Sequence, residues 1–206
     1  MSREDSHREF GEKTRELLRR SLKHVRAGAL AAALAPMASP GCPPAPVPSP
    51  CDFITGGGFV VTDSPPSAQA GAQANFGSHG GCKNGAFWGH VNYVDHGGYM
   101  GVSPYHVDST EITAYGENPT SPNAREICGF ATTNAGETVQ FRVRMEDNDN
   151  SGTNDTFGIA LSNGYILTHR PLGNGDPGGG NIELHKPNPS TTAPTTPPDC
   201  GGLPTP

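Results

Sequence analysis

The densest run of potential ligands in the chain is DNDNSGTND at 147–155. Counted from Asp147, oxygen side chains stand at relative positions 1, 3, 5 and 9 (Asp147, Asp149, Ser151, Asp155), with glycine at 6 and the Thr153 carbonyl at 7. That is the donor order of a calcium loop, because calcium takes several hard oxygens in a flexible shell. The twelfth position is Gly158 rather than a bidentate glutamate, so a site here would have the weak affinity of extracellular modules, about 0.1–1 mM. The competing reading of the same residues is a polar hairpin loop.

Four further residues could serve zinc: His90, Asp95, His96 and His106. Imidazole and carboxylate suit that metal, but this spacing matches no known zinc motif, and a strand histidine more often hydrogen-bonds among its packing neighbours. Nucleophilic catalysis has no elbow motif to rest on, and Glu111, Glu117 and Glu126 are separated by turns instead of forming an acid pair. Trp88, Tyr93, Tyr99, Tyr105 and Tyr115 could offer flat faces to sugar rings, or could simply fill a core.

Strands must position all of these groups. In TVQFRVRME at 138–146, Val139, Phe141, Val143 and Met145 share one side, while Gln140, Arg142 and Arg144 share the other. Phe157, Ile159 and Leu161 repeat the pattern, and Asn163–Gly164 then predicts a two-residue hairpin loop before 165–168. Further strands are expected at 53–62, 72–77, 86–95, 99–107, 111–116, 125–133 and 180–185. On 86–95, His90 shares its side with Trp88, Asn92 and Val94, and Asp95–His96–Gly97 reads as the turn that ends the strand. Nine or so short strands without a helical period after residue 35 predict an all-β fold. The expected form is an antiparallel two-sheet sandwich, jelly-roll-like, with a β-barrel as the alternative.

Several ordered motifs carry a resemblance: CDFITGGGF at 51–59, ANFG at 74–77, KNGAFWGHVNYVDHG at 83–97, DTF at 155–157, LSNGY at 161–165 and GGNIELH at 179–185. Together they resemble a bacterial secreted domain, the post-choice-of-anchor (post-COAP) module, over about 51–186. The resemblance implies a β-rich extracytoplasmic module and supplies no catalytic residues. Related sequences tend to read DNGEPG where this chain has DNDNSG at 147–152.

Charge and composition divide the chain. Residues 1–26 hold eight Lys/Arg against five acids, whereas the remainder holds six against fifteen, so the body repels phosphate backbones and nucleic acid is not an expected partner. The Ala-rich stretch 27–38 and then Gly41–Cys42 complete the order of an export signal over 1–42, about 12 apolar residues being too few to span a bilayer. Arg19–Arg20 resembles a twin-arginine signal, and SPGC at 39–42 resembles a lipobox with Cys42 as lipid attachment and the membrane as partner, the alternative being a secreted protein without an anchor. The other reading of this region is an amphipathic helix from about Arg8 to Leu34. Residues 43–50 (PPAPVPSP) form a proline-rich linker, and 187–206 are too rich in proline and threonine for a packed core, so a disordered tail is expected. Cys51, Cys82, Cys128 and Cys200 lack zinc-site spacing and are disulfide candidates, with three pairings open.

The function these readings support is a non-catalytic envelope or surface module that binds, anchors or spaces. The alternatives are a metal-dependent hydrolase using the histidines and a glycan-binding module. The export reading is checked by the mass of the mature N-terminus: processing at Cys42 is expected, and intact Met1 on the accumulated protein overturns it.

Overall fold

The computed structural model describes residues 51–195 and 198–206; the export signal, Cys42 and the linker 43–50 lie outside them. Nine strands follow in order: β1 (Phe53–Val61), β2 (Gln73–Lys83), β3 (Ala86–Asp95), β4 (Tyr105–Asn118), β5 (Ser121–Thr133), β6 (Thr138–Glu146), β7 (Thr156–Leu161), β8 (Ile166–Pro171) and β9 (Gly180–His185). No α-helix occurs among the described residues, and so none that could cross a membrane. The fold is all-β and antiparallel, as the alternation requires.

The strands form a single sheet in the order β8-β7-β6-β5-β4-β3-β2-β1-β9. β1 to β8 are a meander, each strand pairing with the next, and β9 returns to the free side of β1. This one sheet curls until its inner surfaces meet, a half-barrel that fits both the expected sandwich and its barrel alternative. Phe76 of β2 stacks on Phe157 of β7 at 4.0 Å between ring centroids, and the Tyr93 and Tyr165 hydroxyls lie 2.6 Å apart. The core between them takes Ile54, Val91, Ile127, Phe141, Met145 and Ile159, all at most 1% exposed.

Three local expectations change. Of the strand predicted at 99–107 only Tyr105–Val107 is strand, and it runs on through 111–116 as β4, while 99–104 form a turn closed by an isolated Tyr99–Val102 bridge; register shifts between Ser109 and Glu111 and between Ile112 and Ala114 break the alternation that would have joined the two segments. The strand predicted at 72–77 runs on to Lys83 and turns through Asn84–Gly85, both with left-handed φ (52° and 77°), the two-residue hairpin turn that Asn-Gly favours. At Asn163–Gly164 the loop has three residues, because the Leu161 N–H donates to the Tyr165 carbonyl and the Gly164 N–H to the Leu161 carbonyl.

Two disulfides resolve the open pairing: Cys51–Cys82 and Cys128–Cys200. The first ties the start of the domain to β2. The second fastens the C-terminal segment to the outer surface of β5, and this segment is held further by the Arg142 Nη1 donating to the Leu203 carbonyl at 2.6 Å. Residues 187–195 are also fixed, since the amides of Cys51, Asn84 and Gly85 donate to the carbonyls of Thr191, Ser190 and Thr192. Backbone hydrogen bonds, with Ala193 packed against the core, hold this proline- and threonine-rich stretch in place of the expected disordered tail, and its composition gives no sign of the order.

Disulfide mapping of the unreduced protein should recover these two pairs and no other. Removing one, for instance by Cys200→Ser with Cys128→Ser, is expected to lower stability by about 2–4 kcal/mol in a denaturant titration.

Candidate functional site

The sites expected from the sequence separate once they are placed on the sheet. Asp147, Asp149, Ser151, Thr153 and Asp155 occupy the β6–β7 connection, and each carboxylate faces backbone amides. Asp155, with no exposed surface, accepts the N–H groups of Asn148 (2.9 Å) and Asp149 (3.3 Å) on Oδ1 and of Ile182 (2.7 Å) on Oδ2. Asp147 accepts the Leu184 N–H at 2.8 Å. Asp149 accepts the Ser151 hydroxyl at 2.6 Å and amide at 2.8 Å and the Asn154 side chain at 2.6 Å, and these bonds, the Ser151 hydroxyl foremost, hold its carboxyl down at about 2.

The zinc candidates part by strand parity. Asp95 points inward, wholly buried, and accepts the Ser67 hydroxyl (3.1 Å), the Gly97 amide (2.8 Å) and the Tyr165 hydroxyl (2.9 Å). Tyr165 thereby leaves its oxygen to accept the Tyr93 hydroxyl. Burial raises both tyrosines far above the ordinary phenol range, so both hydroxyls keep their protons and serve this core network as hydrogen-bond donors. His90, His96 and His106 remain on the outer side, where His96 bonds Asn75 at 2.8 Å and His106 is exposed. No group of three or more His, Cys, Asp and Glu among the described residues is gathered as a metal would need. Nor do the three glutamates converge: Glu126 is buried against Arg142 (2.6 Å), Glu117 projects toward Arg125, and Glu111 is exposed at the β4 irregularity.

Of the five aromatic candidates, Tyr93, Tyr105 and Tyr115 are core residues and Tyr99 packs edge-on against Tyr165 at 5.1 Å. Trp88 alone lies on the outer surface, and its Nε1 is shielded without an acceptor, so what solvent reaches of the ring is carbon.

Around Trp88 the register builds an ordered surface. One cross-strand row runs His185, Phe53, Gly81, Trp88. A Cβ on Gly81 would stand 2.5 Å from that of Phe53, and its absence lets Phe53 and Trp88 approach to 6.2 Å between rings over the bare backbone. His185 stacks on the other side of Phe53 at 4.4 Å. The next row is Glu183, Thr55, His79, His90, and the third is Asn181, Gly57, Gly77, Asn92, Asp108. The Ser109 hydroxyl accepts the Val91 amide and is hydrogen-bonded to His90 Nδ1 at 3.1 Å, while His90 Nε2 lies 3.1 Å from the Asp108 carboxylate. Burial first, and His90 second, hold His79 below the usual histidine value. Lysine and arginine are missing from all three rows.

Gly57 and Gly77 are paired, exposed, and unexplained by the fold. Neither has a left-handed φ, a Cβ on Gly77 would meet nothing within 4 Å, and one on Gly57 would meet only the Phe76 carbonyl at an ordinary 3.5 Å. Glycine inside a strand costs about 0.5–1 kcal/mol against alanine and marks either a bulge or a place where something approaches the backbone closely. This pairing has no bulge. Sequence reading missed Phe53, His79, His185 and the two glycines; the signal lay in FITGGGF, where Phe53, Thr55, Gly57 and Phe59 share a side.

No protein-family model, no curated protein and no solved structure matches the chain.

Two outcomes follow for the acidic loop. Asp155→Ala, which leaves the buried Ile182 amide and the partly exposed Asn148 and Asp149 amides without this acceptor, should lower stability by about 1–3 kcal/mol in denaturant, whereas a loss under about 1 kcal/mol would show the amides find other partners. Acid should weaken the same region. Burial works to raise Glu146, but the Ser121 hydroxyl and Arg144 bring it below its ordinary 4.5, and Asp149 moves from 3.8 to about 2. Carboxyls depressed by folding contribute stability present above their unfolded values and lost as pH falls through the folded ones, so melting temperature should decline between about pH 4.5 and pH 2.

Proposed function

We propose that this chain is an exported, envelope-associated module that is not catalytic and that binds through the outer surface of β9, β1, β2 and β3. The carrying observation is the contrast between the two halves of the outer sheet. Over β5 and β6 the surface is covered by the stapled C-terminal segment and neutralised by Arg142–Glu126 and Arg144–Glu146 pairs. Over β9 to β3 no other described residue covers it, and it is set with rings and floored by glycines that the fold does not use.

Two disulfides are at home in an oxidising, extracytoplasmic compartment and fit export. The motif order shared with post-choice-of-anchor modules supports the same reading. With Cys42 acylated, the eight residues 43–50 in extended form would hold the domain about 25 Å from the membrane at about 3.1 Å per residue, which suits a binding surface that must reach past the lipid headgroups.

The test uses the oxidised protein carrying Cys42→Ser, so that no lipid contributes. Isolated bacterial cell envelopes should retain it, and Gly77→Val, which fills the open glycine floor, should reduce retention at least tenfold while leaving the melting temperature unchanged or higher. Equal retention of both proteins, or of neither, overturns the reading.

A further inference from the structure

We infer that the open surface seats an uncharged polysaccharide chain, with one sugar ring on the Trp88–Phe53 rings and others over the Gly57–Gly77 floor. This rests on the binding role proposed above and names its ligand class. The first ground is the mixture of groups. Carbon ring faces stand beside hydroxyl, amide and imidazole side chains, as in Thr55, His79, His90 and Asn92, and these match a ligand that presents C–H faces and hydroxyl edges together. The second is charge. The rows hold Glu183 and Asp108 and no lysine or arginine, and His79 is kept neutral, so a phosphorylated or uronic-acid polymer would meet repulsion instead of pairing.

The third ground is backbone. An extended peptide recognised by strand addition needs a free sheet edge, whereas β1, β2 and β3 are paired on both sides and the outer edge of β9 already gives its Ile182 and Leu184 amides to Asp155 and Asp147. A lipid surface needs a contiguous apolar patch, and here a polar row follows the ring row. The glycine floor lies four residues along the strands from the ring row, about 13 Å at about 3.3 Å per residue, so a ligand that touches both is a chain and not a single sugar. Glycines 57 and 77 leave the backbone bare where that chain would pass, and a side chain there would stand in its way.

Trp88 is the only tryptophan, so its fluorescence reports this surface alone. Cellohexaose, laminarihexaose, chitohexaose and mannohexaose are titrated into the oxidised full chain, with polygalacturonate as the anionic probe. At least one neutral hexasaccharide should shift Trp88 emission and shield it from acrylamide with half-saturation at or below about 1 mM, and its monosaccharide should bind at least tenfold more weakly. Gly77→Val should weaken the hexasaccharide at least tenfold with no fall in melting temperature; Trp88→Ala, followed by calorimetry, should do the same. No binding of any neutral hexasaccharide below 5 mM, or unchanged binding by Gly77→Val, overturns the inference. If the hexasaccharides fail while envelope retention still depends on Gly77, or if polygalacturonate alone binds, the ligand class is wrong and the binding role stands. If envelope retention is also insensitive to Gly77, both fall.

Discussion

A curled sheet that does not close by strand pairing leaves an edge, and the carboxylates of the β6–β7 loop settle that edge here. β9 pairs with β1 on one side; on the other, the Ile182 and Leu184 amides point away from any strand. Asp155 and Asp147 receive these two amides, so side-chain oxygens two strand positions apart stand in for the carbonyls of a missing neighbour. Unsatisfied strand amides are costly when buried and adhesive when exposed. With Asp155 fully buried and also gathering the amides of its own loop, one residue fixes the loop, the last strand and the closure of the core over Met145 and Ile182. The register of β9 on β1, and with it the alignment of His185 beside Phe53, follows from that anchoring.

How much of this was legible in the sequence depends on which physical signal each residue carries. The alternation at 138–146 was readable because Val139, Phe141, Val143 and Met145 bury one side without interruption, and β6 has these bounds. The spacing of DNDNSGTND gives the donor order of a calcium loop, but an oxygen at a given position does not say what else it faces, and the network of amides these carboxylates accept is set by the fold. Asp95 was grouped with the histidines by proximity in sequence; parity turns it inward while His90 and His106 turn out. Strand composition also could not separate Trp88 from the tyrosines, because aromatic residues serve cores and surfaces alike.

What remained invisible is the difference between two stretches of outer surface. Antiparallel sheets often keep one side solvated, and the sequence of each strand shows which residues share that side but not what lies across it. Only the tail fastened at Cys200, whose composition suggests no fixed position, distinguishes the covered β5–β6 half from the open β1–β3 half. Gly57 and Gly77 likewise look like ordinary members of a glycine-rich chain until the space above each is known.

The entrance to the domain has a mechanical meaning. Asp52, the residue after Cys51, is gripped by the buried Arg125 guanidinium, which contacts both carboxylate oxygens, and by the Tyr115 hydroxyl at 2.6 Å, while Cys51 itself is bonded to β2. A pull on the chain ahead of Cys51 therefore passes through a covalent bond into β2 and through an ion pair into β5, and it bypasses the hydrogen bonds of β1 that would otherwise unzip one at a time. Two strands three places apart in the sheet, β2 and β5, share the load at once. A domain built this way resists extension from its leading end.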